Sequence, residues 1–99
     1  MTREEITERL FSLQDKNYAD FTSSLIPTLP REIFIGVRTP HLRSLAKEIY
    51  RSGDYKDFLS DLPHKYYEEN NLHGFIICQM KDIDECIAEL RRFIPLADN

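Results

Sequence analysis

Hydrophobic residues recur at helical spacing in the middle of the chain, where one helix face would be apolar and the rest polar. The i, i+3, i+4, i+7 spacing that places side chains on one face is met by Leu42, Leu45, Ala46 and Ile49. Thr39 is a favoured N-cap residue, and Pro40 suits the first helical position because its missing N–H is not needed there. Gly53 is a typical helix stop. The pattern predicts a helix over residues 40–52.

The same periodicity, together with capping signals, predicts further helices before and after this one. Thr2 with Glu5 forms a capping-box pattern, and Asp82 with Glu85 forms another. Helices are predicted over residues 2–13, 16–26, 40–52, 55–62, 64–81 and 82–93, with a helical turn over residues 31–35.

Two of these helices carry expectations about which side chains are inward. Asp15 is the predicted N-cap of the second helix and Asp54 that of the fourth. In the second helix we expect four inward side chains: Tyr18, Phe21, Leu25 and Ile26. In the last helix the apolar stripe consists of Ile83, Ile87, Leu90 and Ile94.

No segment alternates apolar and polar residues as a strand would, so the sequence predicts an all-α fold. About six helices in antiparallel pairs would form a stack of helical repeats, which must be degenerate because no strict sequence period is present. No capping helix follows the last predicted one. We therefore expect the chain to be part of a longer protein, with an apolar face exposed on its last helix. Self-association through that face, or poor stability, would follow.

Length and composition limit the classes of protein to consider. Ninety-nine residues form one domain at most, and 41% hydrophobic with 30% charged residues is typical of a soluble globular protein. No apolar run approaches the roughly 20 residues that cross a bilayer, and the acidic start is unlike a secretory signal. Cys78 and Cys86 are too few for a disulfide scaffold and lack metal-ligand spacing. We expect buried, reduced thiols in a cytoplasmic protein, unless close packing of their helices allows a disulfide.

Positive charge is local, although the net charge of the whole chain is −4. Residues 31–51 carry five basic and two acidic side chains, whereas residues 54–99 carry five basic and ten acidic ones. Around the start of the central helix, candidate phosphate-binding residues are Arg38, Thr39, Arg43, Lys47 and Arg51. The amides and dipole of a helix N-terminus favour an anion at this place. A solvated basic surface is the alternative interpretation.

Three segments of the sequence resemble one protein family. Residues 36–43 read GVRTPHLR, residues 62–74 read LPHKYYEENNLHG, and residues 93–99 read FIPLADN. In this order and spacing they resemble the DNA alkylation repair enzymes, the AlkD-type alkylpurine DNA glycosylases built from HEAT-like helical repeats. The resemblance covers essentially all of this chain, but only the N-terminal part of a family chain about twice as long.

The resemblance implies an α-α superhelix and a function in DNA repair. The chain would be the N-terminal scaffold of a hydrolase that excises cationic 3- or 7-alkylated purines from duplex DNA, and it would contribute contacts to the phosphate backbone. Family catalysis uses a Trp and an Asp shortly after the point where this chain ends, and an Arg further on. Because the chain contains no Trp, we assign no catalytic residue and expect it to be inactive alone. No cofactor is expected.

A second hypothesis is a non-catalytic helical-repeat module that binds protein, or an inactive branch of the same family. The acidic second half of the chain favours this alternative. Whether the natural chain continues into a Trp and an Asp, and whether binding to duplex DNA falls with salt, would separate the two hypotheses.

Several polar residues have a structural interpretation as well as a functional one. His64 and His73 are nine residues apart on one predicted helix, so we expect them on opposite faces and expect no metal site. Either Glu68 or Glu69 could be a buried carboxylate bonded to a helix N-terminus. Gly74 lies in the middle of that helix, where a close helix crossing would explain it.

Overall fold

The computed structural model describes residues 1–96, which form six α-helices and two short 3-10 helices. The 3-10 helices are Arg31–Ile33 and Ile94–Leu96. The α-helices are α1 (Arg3–Ser12), α2 (Lys16–Leu25), α3 (Thr39–Ser52), α4 (Lys56–Ser60), α5 (Tyr67–Ile77) and α6 (Ile83–Phe93). No strand occurs in the described residues, so the predicted all-α fold is confirmed.

The core forms around α3, which packs most extensively against α5. The predicted apolar stripe of α3 is buried in full, at 2% exposure or less: Leu42, Leu45, Ala46 and Ile49. Ile6 and Leu10 of α1 complete this core from one side and Leu72 and Ile76 of α5 from another. Burying such side chains contributes about 1.5–3 kcal/mol each. The stripe therefore fixes which face of α3 is left to solvent.

Three of the predicted N-caps are confirmed. The Thr2 hydroxyl accepts a hydrogen bond from the Glu5 amide at 3.2 Å, and the Glu5 carboxylate accepts one from the Thr2 amide at 3.1 Å. The Asp15 carboxylate accepts from the Tyr18 amide at 3.1 Å. The Asp82 carboxylate accepts from two amides at the start of α6.

The N-caps predicted for α3 and α4 are wrong. Arg38 is the N-cap of α3, and Thr39 is already helical with no capping hydrogen bond from its hydroxyl. Tyr55 is the N-cap of α4, and its side chain makes no capping hydrogen bond. The carboxylate of Asp54 instead lies 3.5 Å from the backbone nitrogen of Met1. The predicted stop at Gly53 is confirmed, since its φ of 76° is in the left-handed region.

The fifth helix is shorter than predicted at both ends. It begins at Tyr67, after a cis peptide bond between Leu62 and Pro63. The Glu69 carboxylate accepts a hydrogen bond from the Tyr66 amide at 2.9 Å, which fixes the entry into the helix. A turn follows Ile77, so the helix does not continue to residue 81.

Two apolar surfaces are exposed to solvent, and only one of them was predicted to be so. In α2, Phe21 and Leu25 are 59% and 64% exposed, and the prediction that they are inward is wrong. The buried residue of α2 is Ala19, and Phe21 lies roughly 200° around the helix from it. The predicted exposure of an apolar face at the last helix is confirmed, since Ile83 at the start of α6 and Ile94 directly after its end are 73% and 65% exposed.

The environments of the two cysteines and of Gly74 also differ from the predictions. Cys78 is exposed and Cys86 half-buried, both as free thiols, so the prediction of buried cysteines is wrong. A Cβ built on Gly74 would meet no atom within 4 Å, which excludes a close helix crossing there among the described residues. None of the helices in residues 1–96 is long and apolar enough to cross a membrane.

Candidate anion-binding groove

An open groove of about 700 Å³ runs between α3 and the end of α5, and we call it the α3–α5 groove. Its α3 side consists of Thr39, Pro40, Arg43, Ser44 and Lys47, and its other side of Phe75, Cys78 and Gln79. Two cationic groups, two hydroxyls and an amide thus border an apolar floor. All of these charged and hydroxyl groups can donate hydrogen bonds.

Helical spacing brings the basic residues of the groove to one edge of α3. Thr39, Arg43 and Lys47 follow one another at i, i+4 and i+8, so they lie along one edge of the helix. The buried stripe of α3 lies on a neighbouring face, against α5. Packing of the stripe therefore holds the basic edge beside the residues that end α5.

Arg43 and Lys47 have no carboxylate within ion-pair distance in residues 1–96. The Arg43 guanidinium lies instead over the ring of Phe75, 5.5 Å from its centroid. This contact orients the guanidinium without neutralising it, because a ring attracts a cation through its quadrupole. The groove therefore presents two uncompensated positive charges to solvent.

The start of α3 adds a weaker positive potential. The macrodipole places about half a positive charge at a helix N-terminus. Part of the hydrogen-bonding capacity is already used, since the amide of His41 is bonded to the Arg38 carbonyl at 3.0 Å and Pro40 has no N–H. The hydroxyl of Thr39 has no capping role, so it is available to a ligand.

The groove brings together three of the five predicted phosphate-binding residues: Thr39, Arg43 and Lys47. Arg38 lies apart, where its guanidinium is 3.1 Å from the Asp15 carboxylate and 4.7 Å from the centroid of the Tyr18 ring. Arg51 is exposed one turn beyond the groove lining. Sequence reasoning missed Ser44, although it lies on α3 beside Arg43. It also missed Phe75 and Gln79, because only the packing of α5 on α3 brings them to the site.

A buried carboxylate fixes the backbone that leads into α3. Glu68 of α5 is 1% exposed, and its oxygens accept hydrogen bonds from the amides of Ile35 and Gly36 at 2.8 Å and of Val37 at 3.4 Å. The prediction of a buried glutamate bonded to a helix N-terminus is confirmed for Glu69, which is 6% exposed and accepts from the Tyr66 amide at the start of α5. Glu68 is buried as well, but its three amides belong to the segment before α3.

Gly36 is required where this segment meets α2. Its φ is 94°, which side chains with a Cβ rarely adopt, and a Cβ there would lie 2.1 Å from the Asp15 carbonyl oxygen. The Gly36 carbonyl also accepts a hydrogen bond from the Asp15 amide at 2.7 Å. Glu68 and Gly36 together anchor the start of α3, and with it the basic edge of the groove.

The prediction that His64 and His73 lie on opposite faces is wrong. His64 precedes α5, so helical spacing does not apply, and its Nε2 lies 2.7 Å from the Nδ1 of His73. The pair is enclosed by aromatic rings: Phe58 stacks on His64 and Phe93 on His73. Burial lowers the pKa of His64 to about 4 and that of His73 to about 3.

These two imidazoles form a buried contact in the core. A single proton between the two nitrogens at 2.7 Å makes one ring the donor and the other the acceptor. Within residues 1–96, no group of three or more His, Cys, Asp or Glu side chains is placed to hold a metal ion. His41, the remaining histidine, is exposed at the first turn of α3.

Comparisons with known proteins identify no relative. No protein-family model, no curated protein and no solved structure matches this chain. The family resemblance therefore depends on the three sequence segments described above, and the site must be interpreted from its own geometry.

Proposed function

We propose that this chain is the N-terminal scaffold part of a DNA glycosylase that excises cationic 3- or 7-alkylated purines, and that its α3–α5 groove binds the phosphate backbone of duplex DNA. The observation that carries the binding proposal is that Thr39, Arg43 and Lys47 border one groove with no carboxylate partner among residues 1–96. The sequence resemblance to the alkylation repair enzymes supports the glycosylase part.

A phosphodiester fits the chemistry of this groove. A guanidinium fork donates two parallel hydrogen bonds to phosphate oxygens, and an ammonium adds a point charge beside it. The hydroxyls of Thr39 and Ser44 can bind the same oxygens. The groove is open to solvent, so a polyanion can reach these groups. Such contacts position the protein on DNA without reading its sequence.

The test is the affinity for a short DNA duplex, measured by fluorescence anisotropy over a range of salt concentrations. Binding should weaken with salt, because phosphate contacts release counterions. Reversing both charges with Arg43→Glu and Lys47→Glu should raise the dissociation constant by about tenfold or more. It should also reduce the slope of log affinity against log salt by about two.

A matched control is the double variant Lys16→Glu and Lys56→Glu. It changes the net charge by the same amount at two exposed positions, each the first residue of its helix, where an acidic side chain favours the helix. Its affinity should stay within about twofold of wild type. Equal losses in both double variants, or no loss in either, would show that the groove does not bind DNA.

The glycosylase part of the proposal needs residues beyond those that this chain provides. The resemblance expects a Trp and an Asp shortly after Asn99, to hold the cationic base and to stabilise the developing positive charge on the sugar. A gene whose reading frame encodes them should give a product that releases alkylpurines from methylated duplex DNA. A reading frame that stops after Asn99 would exclude the family mechanism for this protein.

A protein-binding helical module is the second candidate. The specific observation in its favour is the exposed apolar face of α6, where Ile83 and Ile94 are mostly accessible. The acidic second half of the chain agrees with it. DNA binding that is absent at low salt would favour this candidate over the first.

A further inference from the structure

Apolar side chains form a regularly spaced stripe on the exposed face of α6. Its members are spaced at i, i+4, i+7 and i+11, and we call them the α6 stripe: Ile83, Ile87, Leu90 and Ile94. Ile83, Ile87 and Ile94 are 73%, 43% and 65% exposed, and Leu90 is half-buried. Leaving such a stripe in water is unfavourable, because burial of apolar surface is the main driving force of protein association.

Charges of opposite sign border this stripe on one side. Asp84 and Arg91 are seven residues apart, which is close to two helical turns, so both lie on the same flank. Both side chains are exposed. On the other flank the stripe borders an apolar cleft of about 450 Å³ between α5 and α6, to which Leu90 and Phe93 also contribute.

This order of charges is complementary to itself when the helix direction is reversed. In an antiparallel pair of α6 helices, Ile83 of one copy faces Ile94 of the other, and Ile87 faces Leu90. Asp84 of each copy then lies beside Arg91 of the other, which gives two ion pairs related by twofold symmetry. A parallel pair would place the two copies of Asp84 at one level and the two copies of Arg91 at another, with no opposite charges at the same height.

From this complementarity we propose that the α6 stripe is the contact surface of a symmetric dimer, in which α6 of a second copy of this chain packs antiparallel against it. The interface buries the two stripes against each other and continues into the apolar clefts beside them. The four residues of the stripe lie outside the α3–α5 groove, whereas the cleft shares Phe75 and Cys78 with it.

The first test is the molar mass of the chain in solution, measured by sedimentation equilibrium over a wide concentration range. The mass should rise from 11.7 kDa toward twice that value as concentration increases. Ile87→Asp should raise the dimer dissociation constant at least a hundredfold, because it places a charge in the centre of the contact. A mass of 11.7 kDa at every concentration would overturn the proposal.

Ala88→Asp is the matched control for that variant. It introduces the same side chain at the next position, which is exposed and lies outside the stripe. Dimerisation should change less than threefold. An equal loss in both variants would contradict the assignment of the interface to the stripe.

A charge swap tests the antiparallel direction. Asp84→Arg alone and Arg91→Asp alone should each weaken the dimer about tenfold, because each replaces two attractive pairs by two repulsive ones. The double variant carries both reversals and restores opposite charges at both places, so its dissociation constant should return to within about threefold of wild type. A double variant as weak as the single ones would exclude the antiparallel pairing.

Discussion

The residue that contributes most to the architecture of the candidate site is Glu68, which lies outside the groove. Glu68 is buried at 1% exposure, and its carboxylate accepts hydrogen bonds from three consecutive backbone amides of the segment before α3. Hydrogen bonds to a charged acceptor contribute about 1.5–3 kcal/mol each, against a large desolvation cost for the charge. The three amides compensate for that cost and hold the segment in place.

Replacing Glu68 by Gln should lower the free energy of unfolding by about 2–4 kcal/mol. The amide keeps the shape of the side chain, but it removes the charge and directs an N–H₂ group toward backbone donors. Urea denaturation followed by circular dichroism measures the change. The control is Glu8→Gln on the exposed face of α1, which should change stability by no more than about 0.5 kcal/mol. Similar losses in the two variants would contradict the role of Glu68.

The two glycines with positive φ provide a matched pair of substitutions. In Gly53→Ala the added Cβ meets no atom within 4 Å. The free energy of unfolding should fall by about 1 kcal/mol, which is the cost of the left-handed conformation alone. Gly36→Ala brings its Cβ to 2.1 Å from the Asp15 carbonyl oxygen, so it should cost at least about 3 kcal/mol. Thermal denaturation of both variants gives the comparison, and equal melting temperatures would show that the approach of the segment to α2 is not tight.

At the residue scale, the sequence predicted those features that depend on near neighbours. The caps by Thr2, Asp15 and Asp82 were predictable because donor and acceptor are within three residues of each other. The partners of Glu68 are more than 30 residues away. A pair of glutamates on a partly apolar helix indicated a buried carboxylate, and both are buried. No local signal shows which amides Glu68 accepts hydrogen bonds from.

At the scale of elements, the approach to α5 shows the limit of local signals. Pro63 suits a helix start, and the apolar residues after it continue at helical spacing, so a helix from residue 64 was the natural prediction. In the structure His64 is 5% exposed and stacks on Phe58, with a ring-centroid distance of 4.6 Å. Tertiary packing of this ring decides the backbone of residues 63–66 and delays the helix to Tyr67.

The same histidine pair predicts that acid destabilises the fold. The pKa values of about 4 and about 3 in the folded state lie below the ordinary value of 6.5, because burial disfavours the charged imidazole. Between these values the unfolded chain binds more protons, so stability falls as pH falls below 6.5. The loss should be about 2–3 kcal/mol between pH 7 and pH 5.5, measured by urea denaturation.

Two variants separate this effect from the titration of other groups. His41→Gln removes an exposed imidazole and should leave the pH dependence unchanged. His64→Leu with His73→Leu removes both buried imidazoles, so stability should become nearly independent of pH over the same interval. The account of the pair fails if the double variant keeps the wild-type pH dependence.

At the scale of the whole molecule, the surface at the α3–α5 groove is positively charged although the net charge of the protein is negative. The net charge of −4 alone would disfavour a polyanion as partner. Most arginines of the described residues are paired with a carboxylate, including Arg9 with Glu48 and Arg31 with Asp20. Arg43 and Lys47 have no ion-pair partner in the part of the chain that the structure describes, so the local field in the groove is positive although the molecule is acidic.

The sequence predicts one side of the groove and not the other. The basic edge of α3 was predictable, because spacing on one helix places Arg43 and Lys47 together. The groove itself was not predictable, because its second side depends on where α5 ends and on how Phe75 packs under Arg43. Arg38 was assigned to the same surface by its proximity in sequence, but its ion pair with Asp15 directs it elsewhere.

The most direct test of the central claim is the mapping of amide chemical shifts in the ¹⁵N-labelled chain during titration with a short DNA duplex at low salt. We predict that the shifts which change most are those of residues 39–47 and 75–79, that they change in proportion to bound DNA, and that they return as salt is added. Shift changes confined to other parts of the molecule, or no changes at all, would contradict the assignment of the α3–α5 groove as a phosphate-binding surface.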